Sequence, residues 1–455
     1  MIWGSLVALG CAAPFVVSLA YIWVDIFQPQ SVAPTIAAMM PISMVTALAA
    51  IMAYLLADRG PPPRLGLLTM LLVAWAAWMT LTTTWAIFPD YAWKKWDWAF
   101  KTAAFTTLLP FVFTSRIRIE AALLVFVCAI MSNVLPFAVK TAITGGGYGQ
   151  QLGLVPVNGG WGGEGSTLST YAFATLPLVT YLLHHSLIAP GRGLMRYAYY
   201  AAPALAAIAT IGTFARAGVI AGFVWAVLAW WHSRRKIALI FVLLGGIAAI
   251  LPLMDEAWTA RILTIFHARA DDSALGRILS WQWTWDFAMR NPGGGGFDAY
   301  RASYAVATRP DGTQFAIHGL ASHNIYFEVL GEQGWFGLGI FLSIFAVFFF
   351  GMMRVCHRAR RREDAAWMRG LASALIQSML IFMAGAVFSG IAHQPLQYYL
   401  LMFAVSLSAL MARVGAEERA GPVTAPQAAA SAPHLPAWRL RARRPSWHPM
   451  RGPTG

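Results

Sequence analysis

The feature that most constrains this chain is a succession of apolar runs, separated by short basic or Gly/Pro-rich segments. Most approach the roughly 20 residues that a helix needs to cross a bilayer. Twelve spans are expected, at about 2–24, 37–57, 65–87, 100–114, 119–137, 166–188, 195–213, 216–232, 237–253, 325–353, 367–389 and 394–412. The first run lacks a basic n-region and a cleavage site, so it reads as a span rather than a signal peptide. Composition agrees: hydrophobic residues make up 58% of the 455, and charged ones only 11%, where soluble domains carry roughly 25%. A soluble globule is excluded, and so much apolar surface excludes a chain disordered along most of its length. Cys11, Cys128 and Cys356 lie in or beside apolar runs, which excludes a disulfide scaffold. The expected fold class is an all-α, polytopic integral membrane protein.

Lys and Arg in short loops stay on the cytoplasmic side and so orient the array. With the N-terminus inside, the inner loops hold fifteen basic residues and the C-terminal tail seven, against eleven outside. Every short basic loop then falls on one side, which puts both termini in the cytoplasm. The net charge of +14 is thereby mostly a topology signal and a tail, so nucleic acid is not an expected partner. Four parts follow. Residues 1–253 carry helices 1–9 with a Gly-rich outer loop at 138–165, and 254–324 form a large helical outer loop between helices 9 and 10. Residues 325–412 carry helices 10–12, and 413–455 are a disordered, basic, Pro/Ala-rich tail. Arg441, Arg443 and Arg444 in that tail are either solvated or bound to anionic head groups.

The outer side holds the chemistry, since loops as long as 138–165 and 254–324 are usually functional or disordered. Asp271 to Ser273 signal a helix start, and an amphipathic helix is expected at about 274–290, stopped by Asn291 and Pro292. Arg277 falls in its first turn, where free N–H groups and the helix dipole favour an anion, with Trp281 and Trp285 on the same face. A guanidinium there suits a lipid-linked diphosphate; the plainer alternative is an interfacial helix with Trp anchors. Arg216, in TFARAG, interrupts apolar sequence at the outer end of two spans, and it either binds substrate or snorkels to head groups. In ASHNIYFEVLGEQGWFGL, Ser322 is expected to cap a short helix carrying His323, Asn324, Tyr326 and Glu328, with a break at Gly331 or Gly334. His323 is a candidate general base, and Glu328 and Glu332 would orient it or bind sugar hydroxyls. The alternative is a polar helix end, and His318 and His393 are weaker rivals.

No P-loop, CxxC, HExxH or EF-hand pattern is present, and the Gly-rich runs do not follow a strand. Asp271 and Asp272 are read as capping acids rather than metal ligands, so no metal and no cofactor is expected.

Taken together, the outer loop before span ten, the TFARAG arginine, the LGR…W helix with its Asn-Pro-Gly sequel, and SHNIYFEVLGEQGWFGL resemble the O-antigen ligase and polymerase superfamily. The likeness is greatest to exosortase-system-associated O-glycosylation ligases, a subgroup that the opening APFVVSLAYIWVDIFQPQ also resembles. It covers the chain to about residue 412. The resemblance implies a GT-C-like membrane glycosyltransferase. Such an enzyme moves a glycan from a polyprenyl (undecaprenyl) diphosphate carrier to a lipid A core, protein or saccharide acceptor at the periplasmic face of a bacterial inner membrane. It further implies that Arg216 and Arg277 bind diphosphate and that His323 is catalytic, with Asn324, Glu328, Glu332 and Trp281 in support. Where the subgroup has an Asn-containing stretch entering the sixth span, this chain has GGWGGEGSTLSTYA, with Glu164 and Ser166 in its place.

A repeat-unit polymerase would use the same chemistry on another acceptor. A transporter would predict internal repeats and helices broken near the membrane midplane. No clear repeat is present, and the polar residues gather at the outer edge instead.

Overall fold

The structure, a computed structural model, describes residues 2–29, 41–59, 66–144, 164–250, 272–308 and 314–420. Residues 1–411 form one compact unit; 412–455 form a second, described only along its helical part to 420. The middle of the expected loop 138–165 (residues 145–163), the start of loop 254–324 with Asp271, and most of the tail lie outside the described residues, while 138–144 continue the preceding helix.

The expected span 2–24 is corrected to two helices, α1 (Ile2–Gly10) and α2 (Phe15–Phe27), packed against each other. Pro14 sits in the turn between them, where its missing N–H breaks the helical ladder. Gly10 lets the two helices approach closely, because a Cβ there would collide with Val17. Neither half is long enough to cross a bilayer. Next come α3 (Ile42–Ala57), α4 (Leu67–Thr83) and α5 (Pro89–Leu108), the last extended by a 3-10 turn, Leu109–Phe111. The expected start at 100 is thus corrected to Pro89, a residue pre-set for the first helical position. The charges of YAWKKWDW read as loop, yet they occupy helix faces.

After these come α6 (Arg116–Thr144), α7 (Gly165–His185), α8 (Gly193–Thr213), α9 (Arg216–His232) and α10 (Lys236–Ile250). The helix expected at 274–290 is α11 (Asp272–Arg290), and α12 (Ile325–Ala359), α13 (Ala366–Ala386) and α14 (Pro395–Ala420) follow. One short antiparallel hairpin, β1 (Tyr304–Thr308) with β2 (Gln314–His318), accompanies the helices, and the all-α class fits. Tyr304 lies opposite His318, so this rival histidine is a strand residue beside an aromatic ring.

Among the described residues, four segments are long and apolar enough to cross a membrane: Arg116–Ile143, Ile325–Ala359, Ala366–Ala386 and Pro395–Ala416. Shorter apolar helices accompany them at Phe15–Phe27, Ile42–Ala57, Leu67–Thr83 and Lys236–Ala249. The protein is therefore a multi-pass, predominantly helical membrane protein; the number twelve does not follow from these lengths. Large apolar side chains such as Leu56, Phe223 and Phe241 point outward, which suits a lipid surround.

At the centre stands α7, buried along most of its length against α13, α9, α8 and α6. Its small residues allow this: a Cβ on Gly218 would collide with Ser169, and one on Gly385 with Thr170. Such close small-residue contacts replace hydrophobic driving force inside membranes. At one end, segments expected on the inner face meet in ion pairs. Arg118 grips both oxygens of Asp58 at 2.7 Å, and Arg116 donates to Glu120 and to the His185 carbonyl, each at 2.9 Å.

The other end is organised by a kink in α12. Gly334 has φ 68°, a conformation that side chains with a Cβ rarely adopt. Into the gap comes the Gly-rich segment after Pro292. Trp335 N–H donates to Pro292 O, Gly295 N–H to Gly331 O, and Gly296 N–H to Glu332 O, all at 2.9–3.0 Å. Ile87 N–H donates in turn to Gly295 O at 2.9 Å, and the freed Gln333 carbonyl accepts from Trp78 Nε1 at 2.9 Å. Three segments distant in sequence are thereby locked together beside the site.

Candidate active site

His323 does not belong to a helix: Asn324, not Ser322, caps α12, with Oδ1 accepting from Tyr326 N–H (2.9 Å) and Phe327 N–H (3.3 Å). Asn offers a side-chain oxygen at the reach an N-cap requires, whereas the Ser322 hydroxyl donates to the Asn324 carbonyl. His323 is left just outside with φ 42°, an uncommon conformation for a non-glycine residue and one that concentrates at functional sites. Helix α11 pins this loop: Ser280 Oγ donates to Leu320 O (3.1 Å), and Trp281 Nε1 donates to Ser322 O (2.7 Å). Trp281 also stacks on Phe327, with centroids 5.5 Å apart. Its visible task is therefore to hold the His323 loop. Trp285 instead meets Trp335 edge to face.

His323 lies on the wall of a cavity of about 520 Å³. The other walls come from Tyr91, Lys94, Lys95 and Trp98 of α5, Glu164 before α7, Asp298, Tyr300, Glu328, and residues 390–394. The histidine is exposed into this recess, yet the surrounding walls thin the water around it and push its pKa below the ordinary histidine value. Arg277 adds to the lowering by charge, while Glu164 and Glu328 oppose it. Arg277 is therefore within electrostatic reach of His323, although it does not line the cavity. Arg216 does not line it either. It opens α9 beside the α8–α9 turn, where a Cβ on Gly165, next to the cavity residue Glu164, would press on Thr213.

The largest surprise is an ion cluster. Lys95 Nζ lies 2.8 Å from Glu328 Oε1, 2.7 Å from Glu332 Oε1 and 3.6 Å from Asp298 Oδ1. Burial alone would favour the neutral amine, but Glu328, Glu332 and Asp298 outweigh it and hold the ammonium charged, well above the ordinary lysine range. Glu332 also accepts from Asp298 N–H (2.9 Å) and meets His393 Nε2 (3.2 Å). Glu328 accepts from Ala392 N–H at 3.0 Å. His393, only 1% exposed, stacks on Trp75 and is thus a core residue of this network. Among the described residues, Glu328, Glu332 and His393 are the group that could hold a metal ion, with ligand atoms within 4.8 Å of one another. The Lys95 ammonium already sits on both carboxylates.

Sequence reasoning placed His323, Glu328 and Glu332 together but missed Lys95, Asp298, Tyr91, Trp98 and Tyr300. A signal for part of this was present. Tyr91, Lys94, Lys95 and Trp98 recur at i, i+3, i+4 and i+7, which is one face of a helix.

A cavity lined by charged and aromatic side chains thus lies within a multi-pass helical array, with a histidine on its wall and an arginine in electrostatic reach. Residues 201–342, which include Arg216, Arg277, His323, Glu328 and Glu332, match the family model for O-Antigen ligase. The match places this region in similarity to the O-antigen ligase superfamily and supports a membrane enzyme of ligase or polymerase type. Residues 1–187 match a second model, described as a family of unknown function (DUF5935). No curated protein matches the chain.

Proposed function

We propose that the protein transfers a glycan from a polyprenyl diphosphate carrier to a hydroxyl acceptor, with inversion and without a metal, at the periplasmic face of a bacterial inner membrane. The observation that carries this reading is His323 on the wall of a polar cavity, with a lowered pKa and Arg277 in electrostatic reach. Orientation is supported by agreement between charge and geometry. The segments around 91–98, 164, 298–328 and 390–394 fall outside by the basic-loop count, and the same segments meet at this cavity.

In the reaction, neutral His323 accepts the proton of the acceptor hydroxyl as its oxygen bonds to the anomeric carbon. The bond from that carbon to the diphosphate oxygen breaks, and polyprenyl diphosphate leaves with the electron pair from the opposite face. Arg277 and Arg216 stabilise the charge that develops on the diphosphate. Asn324 and Trp281 hold the His323 loop, and Glu328 and Glu332 keep α12 and α5 in register through Lys95. In this reading the two arginines supply the charge stabilisation that the diphosphate leaving group needs, so no metal enters the step. The acceptor is a lipid A core, protein or saccharide hydroxyl, and a polymerase would place a lipid-linked repeat there.

The test uses purified protein in lipid nanodiscs, extracted lipid-linked glycan and a membrane extract as acceptor. Wild type should release polyprenyl diphosphate and enlarge an acceptor, and His323→Ala should lose orders of magnitude while staying folded. Near-normal transfer by His323→Ala removes the histidine's role. No release by folded wild type removes the reading.

A further inference from the structure

The face of α5 turned to the cavity is aromatic as well as charged. Tyr91 and Trp98 stand two turns apart on it, 47% and 39% exposed, and Tyr300 faces the same space from the loop after the glycine run. The two tyrosines share one cation. Arg301 lies 3.8 Å from the centroid of Tyr91 and 5.7 Å from that of Tyr300, and it is itself held by Asp298 at 3.1 Å. Asp298 is fixed in turn by Lys95 and by its own N–H to Glu332.

Interfacial Trp and Tyr residues are common in membrane proteins and need no ligand. The other two tryptophans of α5 do not line the cavity. Trp96 donates to Thr80 Oγ1 at 2.9 Å and stacks on Phe100, and Trp93 packs edge to face on Trp96. Tyr91 and Trp98 belong instead to the cavity, where aromatic rings stand among carboxylates and an ammonium.

We infer that Tyr91, Trp98 and Tyr300 form a saccharide-binding subsite, in which the apolar face of a sugar ring stacks on an aromatic ring and its hydroxyls meet Asp298 and Glu164. This inference rests on the glycan-transfer reading and names where the sugar sits. Apolar faces with a few fixed polar groups are how concave sites recognise small ligands. The hydroxyls of a pyranose project around its rim while its C–H groups line its faces, so it needs both kinds of partner.

The experiment measures saccharide binding separately from transfer. Glycan is released by mild acid from lipid-linked material, and its binding to the full-length protein in nanodiscs is followed by tryptophan fluorescence and saturation-transfer NMR. The exposure of Trp98 allows its alanine variant to fold, and the melting temperature of Tyr300→Ala is checked beside it. Trp98→Ala and Tyr300→Ala should weaken binding about tenfold or more, Trp98→Phe should recover most of it, and Trp93→Ala should leave it unchanged. In transfer, the same two alanine variants should raise KM more than they lower kcat. Unchanged saccharide binding in both alanine variants overturns the subsite, even if wild type transfers glycan. Binding lost in both while wild type fails to transfer would uphold the subsite and remove the transferase reading.

Discussion

Lys95 Nζ lies 2.7 Å from Glu332 Oε1, joining α5 to α12 across 237 residues of sequence. With Glu328 at 2.8 Å, this ammonium neutralises two carboxylates of one helix. Removing one partner of such a buried group typically costs about 3–5 kcal/mol, because the remaining charges lose their counterion. Lys95→Ala should therefore lower the melting temperature, and it should expose Glu328, Glu332 and His393 as a ligand set. Zinc added to the variant should raise its melting temperature and should leave wild type unchanged. Absence of any zinc response in the folded variant would show that the three side chains do not converge.

The lowered pKa of His323 fixes the sign of a pH effect. A base must be neutral, so transfer should persist below the ordinary histidine value of about 6.5 and fall only as pH drops through the depressed value. Crowding by the cavity walls and the charge of Arg277 lower the pKa, while Glu164 and Glu328 raise it. Arg277→Gln should thus move the His323 titration to higher pH. Carbon-13 histidine NMR reads this directly, and an unmoved titration would place Arg277 away from the ring.

Asn324 caps α12 through two backbone N–H groups. Asn324→Ala should cost about 1 kcal/mol of stability, with Asn324→Asp or Asn324→Ser restoring most of it. The cap adjoins His323, so transfer should fall further in the alanine variant than its melting temperature alone explains. Equal activity in all three variants would separate the cap from catalysis.

Gly334→Ala tests the kink. A Cβ at φ 68° is strained by roughly 1–3 kcal/mol and here also collides with Pro292 O and Gly294. Thermal unfolding should show at least that loss, together with faster hydrogen exchange at Gly295 and Gly296. An unshifted melting temperature would mean that the helix can straighten without cost.

Much of this architecture was legible because lipid demands long apolar helices, and a run of one solvent preference is visible in a single chain. The helix 274–290 and the break near Gly334 were legible for a different reason: capping residues, Pro and Gly act locally. What escaped was either masked by composition or non-local. The run 2–24 hid Pro14, since a proline in apolar sequence leaves the hydrophobic signal intact. YAVAT and QFAIH are too short to stand out as strands beside helices. Lys95 was read as a count in a topology argument, and its partners lie on α12 and beside Tyr300, beyond the reach of any spacing rule. Ser322 and Asn324 are both good caps, and only the path of the backbone decides between them.

The hydrogen bonds that join Gly295 and Gly296 to Gly331 and Glu332, and Ile87 to Gly295, make the glycine segment part of the α12 framework rather than an appendage. This governs engineering. Specificity grafts between relatives are usually cut at loop ends, but a donor segment transplanted here would arrive without its complementary edge. The modular boundary of this protein therefore runs through three stretches at once, near 82–87, 292–298 and 331–335, and a working chimera must carry all of them together.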